Sequence, residues 1–300
     1  MEIEKSEVLL EQNQKAPSSM RILIREVFQD KMAMISLVFL AIFIVVIYGS
    51  IFVVNQDTVT HVDLLALQSA PSSAHWLGTD TAGRDIFGQL IIGARNSFTI
   101  GFCITLFSAI IGLTLGLISG YFGGVLDNLI MRLVDFVYIL PMLMMIIVVV
   151  TIIPNYSIWA FIGIMTLFLW VGKTRLIRAK VLSERQADYV NASKTLGTAN
   201  WKIIVFQILP NLSSLIIVNF TLTLAGNIGI ETGLSYLGFG LPDSTPSLGT
   251  LVSNATDPDI IQSYWWMWLP ACLLILVLML SINFVGQSIK RATDARQRQS

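Results

Sequence analysis

The sequence predicts an all-α integral membrane protein with six transmembrane helices and both termini in the cytoplasm. Three observations carry that prediction. Of 300 residues, 54% are hydrophobic and only 13% charged, whereas soluble domains carry about 25% charged residues. So little charge cannot cover a water-facing surface, and so much apolar character excludes intrinsic disorder. The charges also leave five long gaps: 25 residues between Lys31 and Asp57, 31 between Arg95 and Asp127, 37 between Asp135 and Lys173, 28 between Lys202 and Glu231, and 30 between Asp259 and Lys290. Finally, Lys and Arg are lopsided. With a cytoplasmic N-terminus the inner segments carry five, one, seven and four of them, and the outer segments only Arg84 and Arg95. That is the positive-inside pattern. The net charge is zero, so no global field draws the chain to nucleic acid, and the lipid bilayer is its expected surrounding.

Each element follows from these gaps. A crossing takes about 20 apolar residues at ~1.5 Å rise each, so four gaps hold one helix apiece. The longest is too long for one helix and contains the breaker Ile153-Pro154-Asn155-Tyr156-Ser157, so it divides into two. The predicted spans lie near residues 33–54, 97–120, 130–153, 157–178, 211–231 and 267–288. Residues 1–31 form a cytoplasmic tail, polar to residue 20 and then alternating from Arg21 to Lys31 as an amphipathic surface helix or an extension of the first span. The first apolar stretch exceeds the ~7–15 residues of a signal h-region and no A-x-A-like site follows, so it is expected to remain as an anchor. The membrane domain covers 32–289, with external loops at about 55–96 and 232–265, a cytoplasmic loop at about 179–210, and a tail at 290–300.

Catalytic chemistry is nearly absent. Gly172-Lys173-Thr174 resembles the end of a phosphate loop, but the glycine required five positions earlier is Leu167. It reads as the positively charged inner end of a helix. No catalytic residue, metal site or cofactor is predicted. Cys103 and Cys272 both fall in spans and read as packed thiols. Gly112, Gly116 and Gly120 recur at i+4, with Ser108 and Ala109 before them, and suit close helix packing. Asp127, Arg132 and Asp135 cluster at the inner end of the third span, where Arg132 and Asp135 are one turn apart and can pair.

The informative segment lies between spans four and five. Asp188, Tyr189, Asn191, Ala192 and Ser193 fall in a short helix from about Asp188, a fair N-cap, to Leu196, with Gly197 as the stop. A second helix leads to Leu209 and Pro210, where the chain is expected to turn into the membrane. A helix, a stop and a second helix with alternating apolar residues suit a docking surface.

This segment resembles the signature loop of the inner-membrane permeases of ABC importers, E-A-A, three residues, G, nine residues, I-x-L-P. Asn191-Ala192-Ser193, Gly197 and Leu209-Pro210 occupy its positions, with departures at Asn191, Ser193 and Gln207. His75-Trp76-Leu77-Gly78-Thr79-Asp80, Gly83-Arg84-Asp85, Gly93-Ala94-Arg95-Asn96-Ser97, the run Glu231 to Gly240, and Pro246-Ser247-Leu248-Gly249 resemble the C-type permease of the peptide/nickel importers, as does the tail from Gly286 to Arg296. The resemblance implies a type I ABC importer permease fold, a second (B-type) permease subunit, two ATPase subunits and an extracytoplasmic substrate-binding protein. It also implies that Asp188 to Gly197, with Leu209 and Pro210, couples to the ATPases. Peptides are the expected cargo, with nickel or metal chelates as the alternative. The aromatic set Tyr264, Trp265, Trp266 and Trp268 is expected to be an interfacial belt. An ATP-independent secondary transporter is the competing class, disfavoured because six helices show no evident internal repeat and few deep charges.

Overall fold

The computed structural model describes residues 29–153, 156–242 and 244–297. The amphipathic segment expected from Arg21 lies almost wholly outside the described residues. Thirteen α-helices appear among them, and no strand beyond an isolated bridge between Thr79 and Asp85. The helices are α1 (Lys31–Gly49), α2 (Gln56–Val59), α3 (Ile86–Phe122), α4 (Gly124–Ile139), α5 (Met142–Ile152), α6 (Ile158–Leu169), α7 (Val171–Glu184), α8 (Asp188–Thr195), α9 (Asn200–Ile203), α10 (Leu209–Tyr236), α11 (Leu248–Ser253), α12 (Pro258–Ser263) and α13 (Leu269–Gln297).

Four helical stretches are long and apolar enough to cross a membrane: Lys31–Phe52, Ile86–Phe122, Asn200–Tyr236 and Leu269–Thr293. Two bent pairs bring the total to six when each counts as one crossing. α4 and α5 meet at 81°, α6 and α7 at 44°. The break in the third crossing was not anticipated from sequence, and its cause is Pro141. Leu140 is driven to an extended conformation (φ −70°, ψ 136°), because the following ring forbids it the helical region. At ~1.5 Å per residue neither half of this pair reaches the ~30 Å hydrocarbon thickness alone.

Two further boundaries depart from expectation. α3 begins at Ile86, eleven residues before the predicted 97, because Asp85 caps it: one carboxylate oxygen accepts from Gly88 N at 2.7 Å and the other meets His75 Nδ1 at 3.0 Å. α13 runs on to Gln297, so the described part of the expected tail is a helical continuation of the last crossing.

Contacts define two ends of the bundle. At one end Asp30, which caps α1 by accepting from Met32 N and Ala33 N, also pairs with Arg291 of α13. The same end holds the last turn of α3, where Arg185 donates to the carbonyls of Gly120 and Tyr121. At the opposite end residues 63–85 fold over the start of α3. Asp80 accepts from Ala82 N, Arg84 N and Gln89 Nε2, and Trp266 Nε1 donates to Thr79 O at 3.3 Å. Trp266 is therefore a buried anchor for this lobe and not part of an aromatic belt.

The closest helix packing joins α3 to α7. A Cβ on Gly112, Gly116 or Gly120 would lie 2.6 Å from Lys173 Cβ, 2.7 Å from Ile177 Cβ and 2.7 Å from Val181 Cβ. Without side chains at these positions, backbones approach where lipid gives no hydrophobic drive between helices. Lys173 is not an exposed inner charge. It is buried, with Nζ donating to Ser108 Oγ at 2.7 Å. The acidic cluster also pairs differently from the sequence expectation. Asp135 bonds to Arg175, and Asp127 takes both Nε and Nη2 of Arg178 at 2.5 and 2.7 Å. α7 thus supplies the cations, and the local Arg132–Asp135 pair does not form. Cys103 and Cys272 are free thiols, each half-buried.

Candidate functional site

The candidate site is α8 with the elbow that follows it, at the end of the bundle shared by Asp30 and Arg291. The helix begins at Asp188 as expected, but its N-cap lies one residue earlier. Ala187 (φ −66°, ψ 148°) occupies the N-cap position without a side-chain bond, and Asp188 sits inside the first turn, where its charge favours the helix dipole. The stop is Gly197, with φ +75°. Thr198 N donates to Ser193 O and Gly197 N to Lys194 O, each at 3.0 Å. These are the two bonds of a Schellman C-cap, which needs a left-handed residue at this position. Nothing lies within 4 Å of where a Cβ on Gly197 would point, so the requirement for glycine is conformational.

One face of α8 is fastened to the spans. Val190 is fully buried, packed with Tyr121, Ile177, Val181, Ile203, Ile208 and Leu212. Tyr189 Oη donates to Glu184 Oε2 of α7 at 2.7 Å and accepts from Asn211 Nδ2 of α10 at 2.9 Å. Burial, and then the Glu184 carboxylate beside it, hold the Tyr189 phenol above its ordinary pKa, so it remains a donor. Gln207 Nε2 donates to Ser193 Oγ at 2.8 Å, and Tyr121 Oη of α3 donates to Asn200 Oδ1 at 2.8 Å. Asn191 turns back to Gln186 O at 3.2 Å. The opposite face is bare. Asp188, Asn191, Ala192, Leu196 and Gly197 are exposed; Leu196 stands 84% open, and Trp201 at the start of the next helix is 58% exposed.

The chain does not turn at Leu209 and Pro210. Asn200 to Tyr236 is one helical crossing, with a π-helical stretch at Ile204–Ile208. Proline donates no hydrogen bond, and its ring crowds the carbonyl four residues back, here Phe206. A widened turn just upstream accommodates it, as single π turns do.

The structure brings the predicted residues of α8 together with the start of α10. Gly112 and Gly116 lie deeper along α3, and only Gly120 reaches the site, through Arg185. Sequence reasoning missed Tyr121, Glu184, Asn200 and Asn211, single polar residues on different elements that share no spacing. Gln207 was visible only as a departure from the signature.

Residues 112–299 match the family described as the inner membrane component of binding-protein-dependent transport systems. The oligopeptide transport system permease protein OppC of Lactococcus lactis subsp. lactis is 50% identical over 274 residues, covering 91% of this chain and 93% of that protein. The protein of the same description from Bacillus subtilis is 34% identical over 270 residues, covering 90% and 87%. Among solved structures, a chain of the MetNI methionine ABC transporter in an inward-facing form matches with a TM-score of 0.55 at 20% identity. That match covers 68% of this chain and 95% of the other, and it shows a shared ABC importer permease fold. With its crossings, its elbow and relatives spanning nearly its whole length, the chain belongs to the inner-membrane permease components of binding-protein-dependent transport systems, as a multi-pass protein of the cell membrane.

Proposed function

We propose that this chain is the C-type permease of an ATP-driven peptide importer, with α8 as the element through which ATPase movement reaches the crossings. The observation that supports this most directly is the two-faced construction of α8. Its inner face is bonded to α7 through Tyr189 and Glu184 and to α10 through Asn211. Its outer face presents Leu196 and, just beyond, Trp201 to solvent. A helix anchored on both sides cannot move without moving its crossings, and the exposed apolar pair suits the groove of another protein. Burying such side chains contributes about 1.5–3 kcal/mol each.

In this reading the end carrying α8 is cytoplasmic and the lobe of residues 63–85 faces outward, as the Lys and Arg distribution requires. A B-type permease completes the pathway, two ATPase subunits sit beneath it, and an extracytoplasmic binding protein delivers cargo. ATP is hydrolysed on the partner subunits, and the differential affinity that drives the cycle arises there. A peptide cargo rests on the relatives, whose descriptions name oligopeptide transport. The test is purification of the tagged chain from its own membranes, reconstitution in proteoliposomes with the binding protein, and uptake of labelled peptides against labelled nickel. Peptide uptake that requires ATP, with an ATPase pair in the purified complex, is expected. ATP-independent uptake, or uptake of nickel alone, overturns the proposal.

A further inference from the structure

Glu231 is fully buried in α10, and among the described residues no cation pairs with it. Its carboxylate accepts from hydroxyls on two helices. Ser97 Oγ of α3 donates to Oε2 at 2.9 Å. Ser235 Oγ, one turn along α10, donates to Oε1 at 3.1 Å. The Ser97 hydroxyl also accepts from the first turn of α11, where Leu248 N bonds to Ser97 Oγ at 3.0 Å, and that turn is capped by Ser247, whose Oγ accepts from Thr250 N at 3.0 Å. Beside them Asn96 Nδ2 donates to Pro246 O at 2.7 Å. The backbones close tightly around this knot. A Cβ on Gly93 would lie 2.9 Å from Ser247 C, and one on Gly249 2.5 Å from Ser235 Cβ.

We propose that Glu231 is a positioning residue that holds residues 246–253 against α3 and α10, and that this seam must part when the outer end of the pathway opens. The inference rests on the importer reading above. Two physical points support it. A buried carboxylate without a counter-charge is a poor fastening if permanence is the aim, since apolar side chains of similar volume hold at least as firmly. Hydroxyl bonds to one carboxylate can instead be exchanged as the seam opens. Moreover, α10 is continuous from Pro210, beside α8, to Glu231 at the opposite end. Twenty-one residues at ~1.5 Å rise span roughly 32 Å, so displacement of the elbow reaches the knot through a single helix.

Two arms test the proposal in the whole reconstituted importer. In the first, Asn96→Cys and Pro246→Cys are introduced with Cys103 and Cys272 replaced by Ala, leaving Glu231 intact, and the pair is joined by a short thiol-reactive cross-linker cleavable by reductant. Uptake is expected to fall at least tenfold on cross-linking and to return on reduction. Unchanged uptake in fully cross-linked protein overturns the proposal. In the second arm Glu231→Ala and Glu231→Gln are compared per assembled complex. Glu231→Ala is expected to hydrolyse ATP with uptake lost, and Glu231→Gln, which keeps one acceptor oxygen, to recover part of the uptake. A purely structural role would lower abundance and leave uptake per complex normal, and that result also overturns the proposal; the second arm decides if the reduced cysteine pair does not transport. Unmodified protein that lacks ATPase partners or ATP-driven uptake would instead sink the importer reading, so the two failures are distinguishable.

Discussion

Gln207 and Ser193 are fourteen residues apart and bonded to each other, Nε2 to Oγ at 2.8 Å. Both depart from the signature this loop resembles, where the corresponding residues are Ile and Ala. The two departures meet in one polar bond, which fastens α8 to the helix leading into α10.

That pairing predicts non-additive mutants. Ser193→Ala leaves the Gln207 amide without its acceptor, and Gln207→Ile leaves the Ser193 hydroxyl without its donor. An unmet polar group at such a site costs about 1–3 kcal/mol. The double variant restores an apolar contact and is expected to be nearly neutral. Thermal unfolding of the four proteins in detergent measures the coupling, expected at about 0.5–3 kcal/mol for side chains in contact. Strict additivity would contradict it.

Gly197 gives a second prediction. Open space surrounds the position where a Cβ would point, so substitutions are separated by backbone preference and not by size. Gly197→Asn, which tolerates the left-handed region, is expected to retain most uptake. Gly197→Val is strained there and is expected to lose uptake at normal membrane abundance. Equal uptake by the two would remove the Schellman cap from the account.

Gly116 and Gly172 form a matched pair. A Cβ on Gly116 meets Ile177 Cβ at 2.7 Å and the Thr174 carbonyl at 3.0 Å, whereas one on Gly172 meets nothing within 4 Å. Gly116→Ala is expected to cost about 1–3 kcal/mol, as overpacking does, and Gly172→Ala to leave the melting temperature unchanged. Equal melting temperatures for the two alanine variants would place the α3–α7 contact elsewhere.

The buried Lys173 ammonium is sensitive to its partner. Ser108→Ala removes the hydroxyl at 2.7 Å and leaves the ammonium only its longer bond to Leu169 O at 3.4 Å, at a cost of about 1.5–3 kcal/mol for a bond to a charged group. Lys173→Met keeps the volume and removes the charge, so it is expected to be milder. Greater stability loss in Lys173→Met than in Ser108→Ala, read by thermal unfolding, would contradict this ordering.

Much of the fold was legible because membrane crossings are dictated by length and charge, both of which are local. Gly197 was legible for the same reason, since a stop between two helices needs positive φ wherever it docks. The third span was drawn straight across Pro141, and Lys173 was misread because composition alone does not distinguish a buried lysine from an interfacial one. The break at Pro141 is a local effect of its ring on Leu140, whereas the lysine and the acidic cluster depend on what packs alongside: Ser108 for Lys173, and α7 for Asp127 and Asp135. The polar fastenings of α8 were invisible for a related reason. Glu184 and Asn211 meet Tyr189 of α8 only after separate helices have assembled, as Tyr121 and Asn200 meet beside it, and no spacing within the chain announces these pairs.

The central claim is that the bare face of α8 carries ATPase movement into the crossings. Leu196→Asp tests it most directly, because Leu196 is 84% exposed and the substitution disturbs nothing inside the chain. An unpaired charge buried at a partner's surface costs several kcal/mol. Peptide uptake, ATP hydrolysis and recovery of the ATPases are measured together on purified complexes. The predicted result is normal abundance of the permease with uptake abolished, accompanied by loss of the ATPases or by hydrolysis without transport. Full uptake by Leu196→Asp at normal abundance would contradict the account.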